Sequence, residues 1–194
     1  MNRVLIINTF KHPPVFYTDR LKFRPLSVSD AKDMFEYSSL PEVTKYLTWH
    51  EHKSLRFTKK YLKNVERSYS EGRYFDWGLE NRSDGKMIGT CGFTSFSYLS
   101  NKCEIGYVIN PAYQHMSYAT EAANAVIDYA FIRFECDTVS ARCVAGNIAS
   151  MRVMEKCGMK YSKTYDDFLM PDGRKVCVVE FTLSRSDYLA NCQI

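Results

Sequence analysis

Between residues 119 and 134 the apolar positions follow helical spacing: Ala119, Ala122, Ala123, Val126, Ile127, Ala130, Phe131 and Phe134 share one face. Two further helices are predicted upstream. Ser27 or Ser29 can cap one carrying Ala31, Met34 and Phe35, and Ser54 opens another with Phe57, Tyr61, Leu62 and Val65 on one side. Asn147 is placed to cap a fourth, running to about Cys157 and closed by Gly158. Strand patterns occupy residues 18–26, where Leu21, Phe23 and Pro25 alternate with polar residues, and residues 74–80 and 87–96, joined through Ser83-Asp84-Gly85-Lys86. Residues 103–109, 137–145, 160–169 and 174–183 read as strands too, the last two flanking a turn at 170–173.

The predicted order is β-α-α-β-β-β-α-β-α-β-β. It describes an α/β (α+β) fold with a mixed sheet and helices on its faces. Residues 1–17 are expected as an N-terminal extension, its first 14 residues an extra edge strand or a flexible arm. Residues 18–184 read as a single domain and 185–194 as a C-terminal tail.

Composition narrows the function classes. At 194 residues and 45% hydrophobic, the chain fits one domain with an ordinary core. The net charge of +4 is spread among interspersed acids and bases, which suits a small anionic ligand and not a nucleic-acid stripe. No apolar run reaches membrane-spanning length, and Val4 to Ile7 after Arg3 is too short for a secretory signal. The seven cysteines, at 91, 103, 136, 143, 157, 177 and 192, have no CxxC spacing and read as buried reduced thiols of a cytoplasmic protein. Histidines 12, 50, 52 and 115 do not cluster with them, so no metal is expected.

The chemistry concentrates in residues 104–134. A strand ending at Asn110-Pro111, a short loop and a helix N-terminus present free backbone N–H groups and the positive end of a helix dipole, a layout suited to a diphosphate.

Five segments in this order resemble the GNAT superfamily of acetyl-CoA-dependent N-acetyltransferases. They are Thr18-Asp-Arg-Leu-Lys-Phe-Arg-Pro-Leu26, Ile88-Gly89, Glu104-Ile-Gly-Tyr107, Tyr118-Ala-Thr-Glu-Ala122 and Asn147-Ile-Ala-Ser-Met-Arg-Val-Met-Glu-Lys-Cys-Gly158. Within the superfamily the likeness is to the branch that acetylates ribosomal-protein N-termini, the RimJ/RimL type. The resemblance implies a mostly antiparallel sheet of about seven strands, in which the strand ending at Ile109 splays from the strand starting near Asp137. Acetyl-CoA would enter that gap, pairing its pantetheine amides with Tyr107, Val108 and Ile109. Its diphosphate would lie on Gln114, His115, Met116, Ser117, Tyr118 and Ala119. Asn147 would hydrogen-bond pantetheine or its ordered water, and Ser150 would hydrogen-bond the departing sulfur.

Three departures stand out. The family usually has glycine at the position of Ser117 and often a base at Met116. Many members carry a proton-donating tyrosine where this chain has Met154, which cannot donate. Ser117 must keep φ negative or accept strain of order 1 kcal/mol.

Catalysis requires a neutral amine. An α-amino group, with a pKa of about 7.7–8.0, needs only a modest base, whereas lysine near 10.4 needs a stronger one. Glu104 is the first candidate, or else an ordinary strand ion-pair partner. Asp167, with Asp166 adjacent, is a second candidate, or else a solvated loop carboxylate. The resemblance sets Trp49, His50 and His52 at the acceptor entrance, where a histidine could assist deprotonation. The expected function is transfer of acetyl from acetyl-CoA to a primary amine by direct attack, with a protein N-terminus favoured. A small amine (antibiotic, polyamine or amino acid) is the alternative, and a non-catalytic acyl-CoA-binding module a further one. A monomer or homodimer is expected, with neither nucleic acid nor membrane as partner.

Overall fold

β-Branched and aromatic residues at alternating positions pair into one continuous sheet in the computed structural model, which describes residues 1–170 and 172–191 without the side chains of Asp167, Phe168 and Asn191. Its strands are β1 (Phe16–Tyr17), β2 (Leu21–Arg24), β3 (Asp76–Asn81), β4 (Met87–Ser97), β5 (Lys102–Ile109), β6 (Thr138–Val144), β7 (Lys160–Leu169) and β8 (Lys175–Ser184). They lie in the order β1-β2-β3-β4-β5-β6-β8-β7. Every neighbouring pair is antiparallel except β5 and β6, which run parallel. The two-residue β1 makes the sheet one strand wider than predicted.

Seven helices accompany it among the described residues: α1 (Arg3–Lys11), α2 (Ala31–Ser38), α3 (Pro41–Thr44), α4 (Leu55–Ser70), α5 (Tyr118–Ile132), α6 (Ile148–Lys156) and α7 (Arg185–Asn191). The expected caps form. Ser54 accepts from the Phe57 N–H, Asn147 from the Ser150 N–H, and Gly158 closes α6 with φ of 76°. Ser27 precedes a 3₁₀ turn over Val28–Asp30, and α2 starts only at Ala31. Pro41 occupies the first turn of α3, where its missing N–H costs nothing.

Two apolar layers cover the sheet. On one face, α1, α5 and α6 pack over Cys103, Ile105 and Ile109 of β5. On the other, Met34 and Tyr37 of α2 join Leu62, Val65 and Tyr69 of α4, with Val108 of β5 against them. Strand alternation thus sends neighbouring β5 residues into different cores.

The N-terminal segment corrects the expectation of an edge strand or arm. Ile6 and Phe10, four residues apart, are both fully buried, which a helix allows, and Asn2 caps that helix by accepting from the Val4 and Leu5 N–H groups. Phe10 packs on Trp77 and Phe75 with ring centroids 4.8 and 5.2 Å apart. The C-terminal α7 also docks, stacking Tyr188 on Phe131. Five of the cysteines are buried and unpaired as expected, but Cys177 is exposed and Cys192 lies outside the described residues. Phe57, expected on the apolar face of α4, is 51% exposed. No helix among the described residues is long and apolar enough to cross a membrane.

The feature that positions the site is a gap in the sheet. Parallel pairing of β5 with β6 runs from Lys102↔Thr138 to Ile105↔Ala141 and stops. Beyond it, Gly106 to Ile109 stay paired with β4, while β6 continues with β8 as far as Val144. The two central strands therefore splay apart.

Candidate active site

A cavity of about 980 Å³ opens at the splay, walled by Tyr107 and Val108 of β5, Cys143 of β6 and Asn147 and Ser150 at the start of α6. One backbone edge of residues 106–108 faces this space with no strand partner among the described residues, so its amides are available to a ligand. The next carbonyl, of Ile109, accepts from the Gln114 side chain at 3.2 Å.

The loop before α5 adopts the strained geometry that its sequence allowed as one of two options. His115 and Ser117 have φ of 62° and 63°, both left-handed, and α5 follows directly. Each non-glycine residue in that region costs of order 1 kcal/mol, so the surroundings must hold it. Arg20 provides much of that hold. Its guanidinium donates to the Met116 carbonyl (2.8 Å) and to Glu121 (2.7 Å), and sits 4.3 Å over the Tyr118 ring. Glu121 also accepts from Thr18 Oγ1 and the Arg20 N–H. Burial pushes the Glu121 carboxyl up, but the Thr18 and Arg20 bonds outweigh it and keep the pKa below the ordinary value. Positive charge thus comes to the loop from the β1–β2 turn, where Met116 itself offers none. Residues 114–119 and Ile109 do not line the cavity, which holds Tyr107, Val108, Asn147 and Ser150 of the proposed cofactor set.

At the cavity wall Ser150 is surrounded by polar groups. Asn147 Oδ1 accepts from its N–H at 3.2 Å, and Tyr107 Oη lies 3.0 Å from Ser150 Oγ and 3.1 Å from the Ser150 carbonyl oxygen. The Ser150 hydroxyl also hydrogen-bonds the Cys143 thiol, so it already sits within reach of a sulfur atom. Burial raises the Tyr107 phenol well above its ordinary pKa, which keeps it protonated and able to donate.

The carboxylates divide clearly. Glu104 faces the cavity but accepts from Thr94 Oγ1 (2.9 Å) and from Arg142 through Nη2 (3.1 Å) and Nε (2.7 Å), a forked ion pair. The Asp167 side chain lies outside the described residues. Asp76, which the sequence did not single out, also lines the cavity, and burial lifts its carboxyl to about 7. The only signal for it was one acid within Tyr74-Phe-Asp-Trp77.

Trp49, His50 and His52 all line the cavity. His52 is buried, its Nδ1 is 2.9 Å from Thr58 Oγ1, and Trp49, Phe57 and Tyr61 surround its ring at 4.9–5.6 Å. Burial lowers its pKa, which favours the neutral imidazole. His50 is exposed and borders a second cavity of about 390 Å³. Among the described residues no cluster of three or more potential metal ligands forms.

The family description "Acetyltransferase (GNAT) domain" matches residues 20–160. The chain belongs to the GNAT acetyltransferase family. It is 29% identical over 160 residues to the uncharacterized N-acetyltransferase YoaA of Bacillus subtilis, covering 82% of this chain and 90% of that protein. A GNAT-family acetyltransferase structure from Bacillus anthracis superposes with a TM-score of 0.78 at 23% identity, covering 89% of this chain and 99% of that one. The ribosomal-protein-S5-alanine acetyltransferase of Vibrio fischeri superposes with a TM-score of 0.70 at 17% identity, covering 90% of this chain and 98% of that one. These neighbours establish the GNAT fold, and the GNAT relatives are N-acetyltransferases by name. GNAT enzymes take their acetyl group from acetyl-CoA.

Proposed function

We propose that this GNAT enzyme acetylates a primary amine, most readily an N-terminal α-amino group, with the thioester arm of acetyl-CoA in the β5–β6 gap. The observation that carries the reading is the end of β5–β6 pairing at Ile105↔Ala141, which leaves backbone donors and acceptors facing a cavity bordered by Ser150. The loop at 114–119 supplies amides and the α5 N-terminus for the diphosphate.

Acetyl-CoA supplies an activated carbonyl and a thiolate leaving group. This chain's residues do the rest. Tyr107 and Val108 hold the arm by their backbone, and Asn147 fixes the first turn of α6. Ser150 Oγ–H hydrogen-bonds the developing thiolate, where Met154 cannot donate, and the Tyr107 phenol, which donates to the Ser150 carbonyl oxygen, lies 3.0 Å from Oγ.

A peptide acceptor is favoured by the shape of the entrance. The two cavities share Leu47, Trp49, His50, Glu51 and Met170, giving a trough longer than a single amine requires. The fold neighbour from Vibrio fischeri, described as acting on a ribosomal-protein alanine, lends the same direction. The test is to incubate the protein with acetyl-CoA, a panel of N-terminal peptides and a panel of small amines, reading acetylated product by mass. Product from peptides supports the reading, and product from small amines alone moves the acceptor to that class. Binding of acetyl-CoA without product from either panel contradicts it.

A further inference from the structure

Asp76 opens β3, and the strands beside it leave a clear path from its carboxylate to the gap. In register, Asp76 faces Gly92 of β4, and Gly92 faces Gly106 of β5. Residues paired across strands share a face. The strip from Asp76 to β5 therefore has no side chain of its own at Gly92 or Gly106, over two strand spacings or roughly 10 Å, and Thr94 Cγ2 reaches over its β5 end. Neither glycine has room for more. A Cβ at Gly92 would lie 2.6 Å from Asp76 Oδ1, and one at Gly106 would lie 2.8 Å from Thr94 Cγ2. Gly106 is also the first β5 residue beyond the last β5–β6 pair, so the strip ends at the vertex of the splay.

The groups around Asp76 hold it without neutralising it. Tyr69 Oη donates to its carbonyl oxygen at 2.5 Å, Tyr74 hydrogen-bonds its carboxylate, and Tyr61 Oη is 3.2 Å from Tyr74 Oη. Tyr37 reaches its field from α2, Tyr61 and Tyr69 from α4, and Cys91 from β4, while Glu104 and Arg142 share the cavity from β5 and β6. Among the described residues no cation forms an ion pair with it. Burial sets its carboxyl near 7, with the Tyr74 bond pulling the other way. The buried Ser38 hydroxyl, on the same cavity wall, has no hydrogen-bond partner among the described residues.

We propose that Asp76, not Glu104, takes the proton from the acceptor ammonium, and that the acceptor is a primary ammonium on an apolar or aromatic body. This deepens the acetyl-transfer reading and rests on it. An ammonium N–H bond breaks and the proton passes through water to an Asp76 carboxylate oxygen. The freed nitrogen lone pair forms the N–C bond at the acetyl carbonyl, the carbonyl carbon–sulfur bond breaks, and the sulfur leaves as thiolate and takes up the second proton shed by the attacking nitrogen. The proton on Asp76 then returns to solvent. Glu104 is a poor rival, because Arg142 and Thr94 already engage its lone pairs. Tyr37, Tyr61, Tyr74 and Trp49 line the approach and suit an apolar body with a cationic head.

The experiment is the pH dependence of kcat with an amine that the wild type acetylates. The wild-type profile should rise with a midpoint near pH 7. Asp76→Asn should lower kcat about 100-fold at neutral pH and abolish that limb, with acetyl-CoA affinity unchanged. Tyr74→Phe removes the bond that holds the carboxyl down, so its midpoint should move to higher pH. That variant carries the test if Asp76→Asn does not fold. A limb unchanged in the tyrosine variant, or one lost in Glu104→Gln and kept in Asp76→Asn, overturns Asp76 alone. A wild-type protein that acetylates no amine overturns the acetyl-transfer reading and this inference with it.

Discussion

Tyr107 Oη lies 3.0 Å from Ser150 Oγ, joining the end of β5 that β6 leaves to the first turn of α6 across the mouth of the gap. Ser150→Ala is expected to lower kcat by roughly 10–100-fold with little change in the KM for acetyl-CoA, since a bond to developing thiolate exists only late in the reaction. Tyr107→Phe should lower kcat less, because the serine hydroxyl remains. Steady-state kinetics of both variants check this; unchanged turnover in Ser150→Ala would remove the thiolate role.

The brace on the 114–119 loop has its own signature. Glu121→Gln weakens the clasp that Arg20 and Thr18 make on α5. The dissociation constant for acetyl-CoA should rise roughly 5–10-fold, equivalent to about 1 kcal/mol, with kcat retained at saturation. Ser117→Gly should act the other way on stability. It relieves about 1 kcal/mol of left-handed strain and should raise Tm by about 2–4 °C. Calorimetry and thermal melts read the two effects separately.

Asp76 also predicts how stability responds to pH. Because burial raises its carboxyl from 3.8 to about 7, the folded protein keeps a proton in that interval that the unfolded chain has released. This group's contribution is therefore full below about pH 4, declines as pH rises through about 7, and is flat beyond. The loss is at most about 4 kcal/mol. Urea unfolding at pH 5 and pH 8 should show Asp76→Asn gaining on the wild type at the higher pH. A variant that gains nothing between them would place the carboxyl in water.

The N-terminal helix belongs to the core. Phe10 is fully buried against Phe75, Trp77 and Phe93. Phe10→Ala should cost about 3–5 kcal/mol in denaturant unfolding. A cost below about 1 kcal/mol would make α1 detachable.

Local pattern carried much of the fold and less of the site. The helical stripe from Ala119 to Phe131 and the caps at Ser54 and Asn147 are written in neighbouring residues, so periodicity and cap chemistry find them. Helix α1 escaped because only Ile6 and Phe10 face inward, a spacing too sparse to separate helix from arm. The Tyr107–Ser150 pair spans 43 positions and depends on which face strand alternation gives Tyr107. Asp76 was silent for a similar reason. Its role comes from two glycines on other strands, Gly92 and Gly106, which no window around residue 76 contains. Glu104 was legible as a candidate, but its forked pair with Arg142, 38 positions away, appears only in the folded chain.

Stoichiometric acetyl transfer tests the whole scheme most directly. The wild-type protein is mixed with acetyl-CoA and an N-terminal peptide, and free thiol and acetylated peptide are quantified together. One acetylated amine for each CoA released, in both wild type and, far more slowly, Ser150→Ala, is the expected result. Tight binding of acetyl-CoA with no amine-dependent thiol release from any peptide or small amine would contradict it.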